Sequence, residues 1–371
     1  MKILIVLNHP AHYYLFKCII AGLKEKNHEV SIVIKGKDIL EKLLSSERQK
    51  YVKINEKKQR EESAFSVISR GIIELITQDI NLYQHLNKFK ADILIGTDIA
   101  ITHVGRLRGI PSIVFNEDDY EINKLFCGFS YPFVSHIVSP LVCDVGKYKY
   151  KKISYSGYQK LAYLHPNHFK PDRSIVDKYI SNKKPYFMIR LVSFTAGHDI
   201  EKKHGGISSN LVKEVIYKLE KKGNVYINSE IDLPVGFNKY KLRINPLHIH
   251  HFLYYSDLFV SDSQSMSVEA AMIGSPSIRF NSFVGRISVL EELEHKYGLT
   301  FGIHNTQPQS LFEKIVELLD TPNLKEKFQK RRMEMLSEKI DVTAFMVWLI
   351  ENYPESAKIM KNTPDYQWKF K

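Results

Sequence analysis

The chain has 371 residues, more than one ordinary core accommodates, so two domains of roughly 150 to 190 residues each are expected. With 44% hydrophobic, 25% charged and 12% aromatic residues it can bury a large apolar core, which excludes a disordered, collagenous or low-complexity chain. Its 53 Lys+Arg against 41 Asp+Glu leave +12, favouring an anionic partner such as a nucleotide sugar, lipid phosphate, nucleic acid or membrane surface.

In chain order, Lys2 to Leu7 is too short an apolar run for a signal peptide and reads as a first strand. His12, Leu15, Phe16, Ile19, Ile20 and Leu23 then recur at the spacing of one buried helix face. Val30 to Ile34 completes a βαβ unit, and further strands are expected at Ile93 to Gly96, Ser112 to Phe115, His136 to Ser139 and Ile153 to Ser156. Leu125 to Cys143 carries no charge, but Gly128, Pro132, His136 and Pro140 argue against a spanning helix.

A Pro- and Lys-rich shift over Tyr158 to Pro185 marks a linker. Beyond it the pattern restarts, with strands at Tyr186 to Val192, Asn224 to Asn228, Leu242 to Ile244, Leu258 to Val260 and Ser277 to Phe280. Helices are expected at Ser208 to Lys221, His250 to Tyr255, Met266 to Ile273, Ile287 to Tyr297, Gln309 to Leu319 and Asp341 to Asn352. The class is α/β: two Rossmann-like domains facing across a cleft, 1–165 and 180–340, with a helical tail at 341–371. Cys18, Cys127 and Cys143 form no CxxC pair, so no disulfide framework or Cys-rich zinc site is indicated and a reduced, cytoplasmic setting is expected.

The most informative segment runs from Leu258 through Asp262-Ser263-Gln264-Ser265 to Glu269 and Gly274. A strand enters a small polar turn and a helix opens, so its amides and the Ser263 and Ser265 hydroxyls form an anion site suited to a diphosphate. Glu269 then reaches for ribose hydroxyls. The plainer alternative is that Asp262 or Ser263 only caps the helix. Arg279, at a strand end, is a second anion contact, and Arg190 with Gly205-Gly206 and His198 forms a phosphate or sugar loop. His248, His250 and His251 lack an accompanying carboxylate pattern, so no metal is assigned.

In the first half, His9 and His12 lie between the first strand and helix, where loops reach a ligand. His12 is either a base or a structural residue. Asp98 and Glu117 follow predicted strands; each is a proton-shuttling carboxylate, or Glu117 to Asp119 is a solvated loop. The Lys147 to Lys152 run, interleaved by Tyr148 and Tyr150, is a solvated face or a peripheral membrane contact. No nucleic-acid module is recognised.

The Asp262 turn resembles the Asp-Ser-Gly-Gly…Glu-Ala signature of the UDP-N-acetylglucosamine 2-epimerase and glycosyltransferase B superfamily. More closely, Asn8-His9-Pro10-Ala11-His12, Asp262-Ser263-Gln264-Ser265 and Asn281-Ser282-Phe283-Val284-Gly285-Arg286 resemble the DUF354 proteins, a prokaryotic family related to that superfamily. The resemblance implies Ser263, Gln264 and Ser265 at the diphosphate, Glu269 at the ribose, and the segment of His248 and Phe252 beside the uracil. It likens Asp98 and Glu117 to the epimerases' acid/base positions. Gln264 and Ser265 stand where those relatives carry glycines, and His9-Pro10-Ala11 where the epimerases carry Arg-Pro-Glu.

The expected function is therefore a metal-independent, cofactor-free glycosyltransferase using a UDP-sugar and a glycan or lipid-linked acceptor in cell-surface polysaccharide synthesis, cytoplasmic or peripheral at the inner face of the membrane. An epimerase and a non-catalytic nucleotide-sugar-binding protein are the alternatives.

Overall fold

A computed structural model describes every residue except 37, 56–63, 181–183, 193, 196–206 and 230–231. The chain divides into two compact units, Met1–Tyr163 with Ile340–Lys371, and Leu164–Lys339.

The first unit is built on seven strands, β1 (Lys2–Leu7), β2 (Glu29–Lys35), β3 (Val52–Asn55), β4 (Ile93–Gly96), β5 (Ser112–Phe115), β6 (His136–Pro140) and β7 (Lys152–Tyr155). They form one parallel sheet in the order β3-β2-β1-β4-β5-β6-β7. A parallel sheet covered on both faces needs continuous apolar strands, and Ile3 to Leu7 of β1 are all buried. The order reverses between β1 and β4, and there a Cβ on Gly96 would stand 2.7 Å from the Val6 carbonyl oxygen, so only glycine fits. The helix Val342–Glu351 packs beside the first helix, Pro10–Glu25, where Gly22 lets Val347 approach. The tail thus returns to the first unit.

The second unit holds β8 (Tyr186–Leu191), a short parallel pair of β9 (Phe194–Thr195) and β10 (Ile207–Ser208), then β11 (Asn224–Ser229), β12 (Leu258–Ser261), β13 (Ser277–Asn281) and β14 (Phe301–His304). Its main sheet is also parallel, in the order β11-β8-β12-β13-β14, and reverses between β8 and β12.

Two local expectations need correction. Leu242 to Ile244 is not a strand: only Lys241 bridges Ile227, and Pro246 soon opens a 3-10 turn. Ile287 to Tyr297 is not one uniform helix, because Ser288–Glu291 passes into a π-helical turn at Glu292–Lys296. The Tyr158 to Pro185 stretch carries short helices, Leu161–Leu164 and Arg173–Asp177, the latter capped by Asp172. Among the described residues, no helix is long and apolar enough to cross a membrane.

Candidate functional site

At the reversal point of the second sheet, β12 runs through Asp262 and Ser263 into the helix Gln264–Ile273. Asp262 Oδ1 accepts the Val192 amide at 2.8 Å, tying the turn after β12 to the one after β8. The Ser263 amide donates to Ser261 Oγ at 2.7 Å, while Ser263 Oγ accepts the Met266 amide at 3.3 Å as the helix cap. Asn281 Nδ2 donates to the Asp262 carbonyl at 3.3 Å, bracing the turn from β13. With Met266 and Ser267 satisfied, the Gln264 and Ser265 amides remain as the helix's open donors, and Ser265 is exposed. The capped amides and the open ones thus lie side by side within one turn.

Glu269 lies buried further along this helix, with its carboxylate 3.4 Å from His250 Nε2. The neighbouring histidines have separate partners: His248 Nδ1 meets the Tyr179 hydroxyl at 3.2 Å, and His251 Nδ1 accepts the Asp172 amide at 3.0 Å. Burial, then the neighbouring His248, lowers the His251 pKa. The three are not gathered on one point as metal ligands would be.

Two expected contacts are overturned by burial. Arg279 is 0% exposed, and its Nη2 donates to Glu291 at 2.9 Å and Glu294 at 2.8 Å. It is an internal brace, not an anion contact. Those carboxylates and His295 are the only metal-like cluster among the described residues, and the guanidinium lies against both carboxylates. Phe252 is likewise 0% exposed, packed against Tyr179 and Tyr186 in the core, so it cannot touch a base. Arg190 is half-buried and its Nη1 donates to Asn228, its register partner on β11. His198 and Gly205-Gly206 lie outside the described residues.

The carboxyl edge of the first sheet is arranged differently. Asp98, only 3% exposed, accepts from Asn8 Nδ2, from Gln78 Nε2 at 2.8 Å and from the Ile101 amide at 3.2 Å. Its three donors lock the loop after β1 to two helices. His9 is exposed and caps the first helix, its Nδ1 accepting the Ala11 amide at 3.1 Å. His12 Nδ1 accepts the Asn8 amide at 3.3 Å, which places the proton of the neutral ring on Nε2 and makes that atom a donor.

Glu117, after β5, accepts Lys160 Nζ at 2.6 Å and the Gln159 amide at 2.8 Å. The loop is therefore not simply solvated: Asp119 accepts the Asp144 amide at 2.7 Å, and burial, then neighbouring Glu117, raises the Asp118 pKa. Sequence reasoning missed Lys160 and Gln78. Lys160 stands just beyond a predicted strand end, a position that could have flagged it; Gln78 carries no such signal. Tyr148 of the basic run is a core residue packed edge-on against Tyr131, whereas Tyr150 is exposed.

No protein-family model matches the chain, and no curated protein matches it in sequence. Its fold is shared with solved structures. The UDP-GlcNAc 2-epimerase of Neisseria meningitidis bound to UDP-GlcNAc is 15% identical, with a TM-score of 0.60 over 91% of this chain and 100% of that one. The S. aureus MnaA structure with UDP is 15% identical, with a TM-score of 0.63 over 96% and 97%. The glycosyltransferase SsfS6 of Streptomyces sp. SF2575 with thymidine diphosphate is 14% identical, with a TM-score of 0.60 over 95% and 99%. The two parallel α/β units are those of the epimerase and glycosyltransferase B architecture.

Proposed function

We propose that the chain is a nucleotide-sugar enzyme that binds a UDP-sugar on its second unit and transfers the sugar to a glycan or lipid-linked acceptor without a metal ion. One observation carries the reading: the Ser263-capped helix offers the Gln264 and Ser265 amides at the strand-order reversal of a parallel sheet. Such amides and the helix dipole suit a diphosphate, and buried Glu269 suits ribose hydroxyls. The solved relatives named above hold UDP-GlcNAc, UDP and thymidine diphosphate.

In the transfer, the acceptor oxygen attacks the anomeric carbon as that carbon's bond to the diphosphate breaks. UDP departs with its charge on the helix amides, and Glu117 is the proposed acceptor of the hydroxyl proton. His12 serves as a hydrogen-bond donor through Nε2. Asp98, held by Asn8, Gln78 and the Ile101 amide, is assigned the positioning of the loop after β1.

Millimolar UDP is expected to raise the melting temperature, and uridine to raise it less. No shift with UDP removes the central claim. With a panel of nucleotide sugars, acceptor-dependent UDP release supports transfer, interconversion of two UDP-sugars supports epimerisation, and binding without turnover supports an accessory role. Turnover is expected to survive EDTA; loss restored by magnesium or manganese ends the metal-free mechanism.

A further inference from the structure

The first unit carries an apolar and cationic surface that the nucleotide chemistry does not use. Its place follows from contacts. His103, on the helix Ala100–Arg108, meets Asp79 at 2.9 Å, the Phe129 carbonyl at 2.8 Å and the Phe133 ring edge-on at 5.0 Å. Three segments therefore join around one imidazole. One turn beyond His103, Leu107 is 74% exposed, and Ile76 and Ile80 flank Asp79 with exposed side chains. Phe129 and Phe133 are exposed as well.

Cations surround this apolar centre. Lys151 Nζ donates to the Tyr131 and Pro132 carbonyls at 2.9 and 2.8 Å, beside Phe133, and it interacts electrostatically with exposed Arg106. Lys361 donates to the Tyr150 carbonyl at 3.0 Å, and Tyr150 itself is 67% exposed. Asp79, the carboxylate between Ile76 and Ile80, is already engaged by His103, whose pKa that hydrogen bond raises. Leu107 precedes β5, Phe133 precedes β6 and Lys151 precedes β7, so the surface lies toward the amino edge of the sheet, away from Asn8, Asp98 and Glu117.

From this juxtaposition we propose that the surface centred on Leu107, Phe129 and Phe133 and rimmed by Arg106, Lys151 and Lys361 docks the protein on an anionic phospholipid membrane. Exposed aliphatic and aromatic side chains enter the headgroup boundary while the rim meets the lipid phosphates. A symmetric pairing with a second copy is disfavoured by the same charges, because a two-fold contact sets one patch against itself and Asp79 is taken.

The test is sedimentation of the full chain with vesicles of phosphatidylcholine alone or with added phosphatidylglycerol. The chain is expected to bind the anionic vesicles, with binding weakened by salt. Arg106→Glu should reduce partitioning by at least about fivefold, on the scale of one surface cation. Leu107→Ser should reduce it as well, while both variants keep the wild-type melting temperature; Leu107 is exposed enough for the fold to tolerate the change. Failure to bind anionic vesicles, or equal binding to neutral ones, overturns the proposal. A dimer in solution that Leu107→Ser dissociates assigns the surface to a second copy and overturns it too. Nucleotide-induced stabilisation is read separately, so failure here is distinguishable from failure of the UDP assignment.

Discussion

The carboxyl edges of the two sheets are built from different chemistry. In the first unit the edge is held by carboxylates with dedicated donors: Asp98 by Asn8, Gln78 and Ile101, Glu117 by Lys160 and Gln159, and Asp119 by Asp144. In the second, hydroxyls and amides of Ser261, Ser263 and Asn281 hold the turn, and Asp262 spends its carboxylate on Val192. Full charges fix one edge, whereas the other leaves helix amides open. A preorganised charge is suited to moving a proton, and an amide set to receiving an anion.

The largest effect that would break this contrast is kinetic. Glu117→Gln keeps the shape but removes the base, so turnover should fall by about 10²–10⁴-fold with UDP affinity unchanged in a calorimetric titration. Normal turnover would make Glu117 a brace like Asp98. Next, Asp98→Ala strands Asn8 Nδ2 and Gln78 Nε2 in a buried place, and should cost about 3 kcal/mol in denaturant unfolding. A stability change under about 0.5 kcal/mol would return Asp98 to the list of chemical groups.

On the second edge, Glu269→Gln should weaken UDP by about 1.5–3 kcal/mol while 2′,3′-dideoxy-UDP binding changes little, since only ribose hydroxyls report on the carboxylate. Equal losses for both ligands would make Glu269 purely a partner of His250. The smallest effect concerns His136, whose pKa burial, then Lys361 and Lys151, depresses from 6.5 to about 4. The unfolded chain takes up that proton first. Stability should therefore fall as pH drops from 6.5 toward 4, and His136→Phe should flatten that part of the melting profile. An unchanged profile would remove His136 as its source.

What the sequence revealed depended on whether a residue's partner was nearby in the chain. Buried central strands such as β1, β4 and β5 are continuous apolar runs, and their bounds were legible. The edge strand β3, Val52–Asn55, is short, interrupted by Lys53 and partly exposed, while Phe301–His304 of β14 is only half-buried throughout; neither stood out. The Ser263 turn was legible because strand, cap and helix are consecutive. Arg279 was misread because the carboxylates that claim it lie 12 and 15 residues on and return only through the following helical turns. Lys160 was missed for the same reason, 43 residues from Glu117.

The return of Ile340–Lys371 to the first unit bears on the order in which the protein matures as it is made. The second unit is contiguous, Leu164–Lys339, and all its strands have emerged before the helix Val342–Glu351 is synthesised. The first helix, Pro10–Glu25, must wait for that late segment to cover it. On a ribosome, where earlier domains generally fold first, the domain begun second can be finished first. The last apolar face to be sheltered then belongs to the unit whose synthesis began earliest.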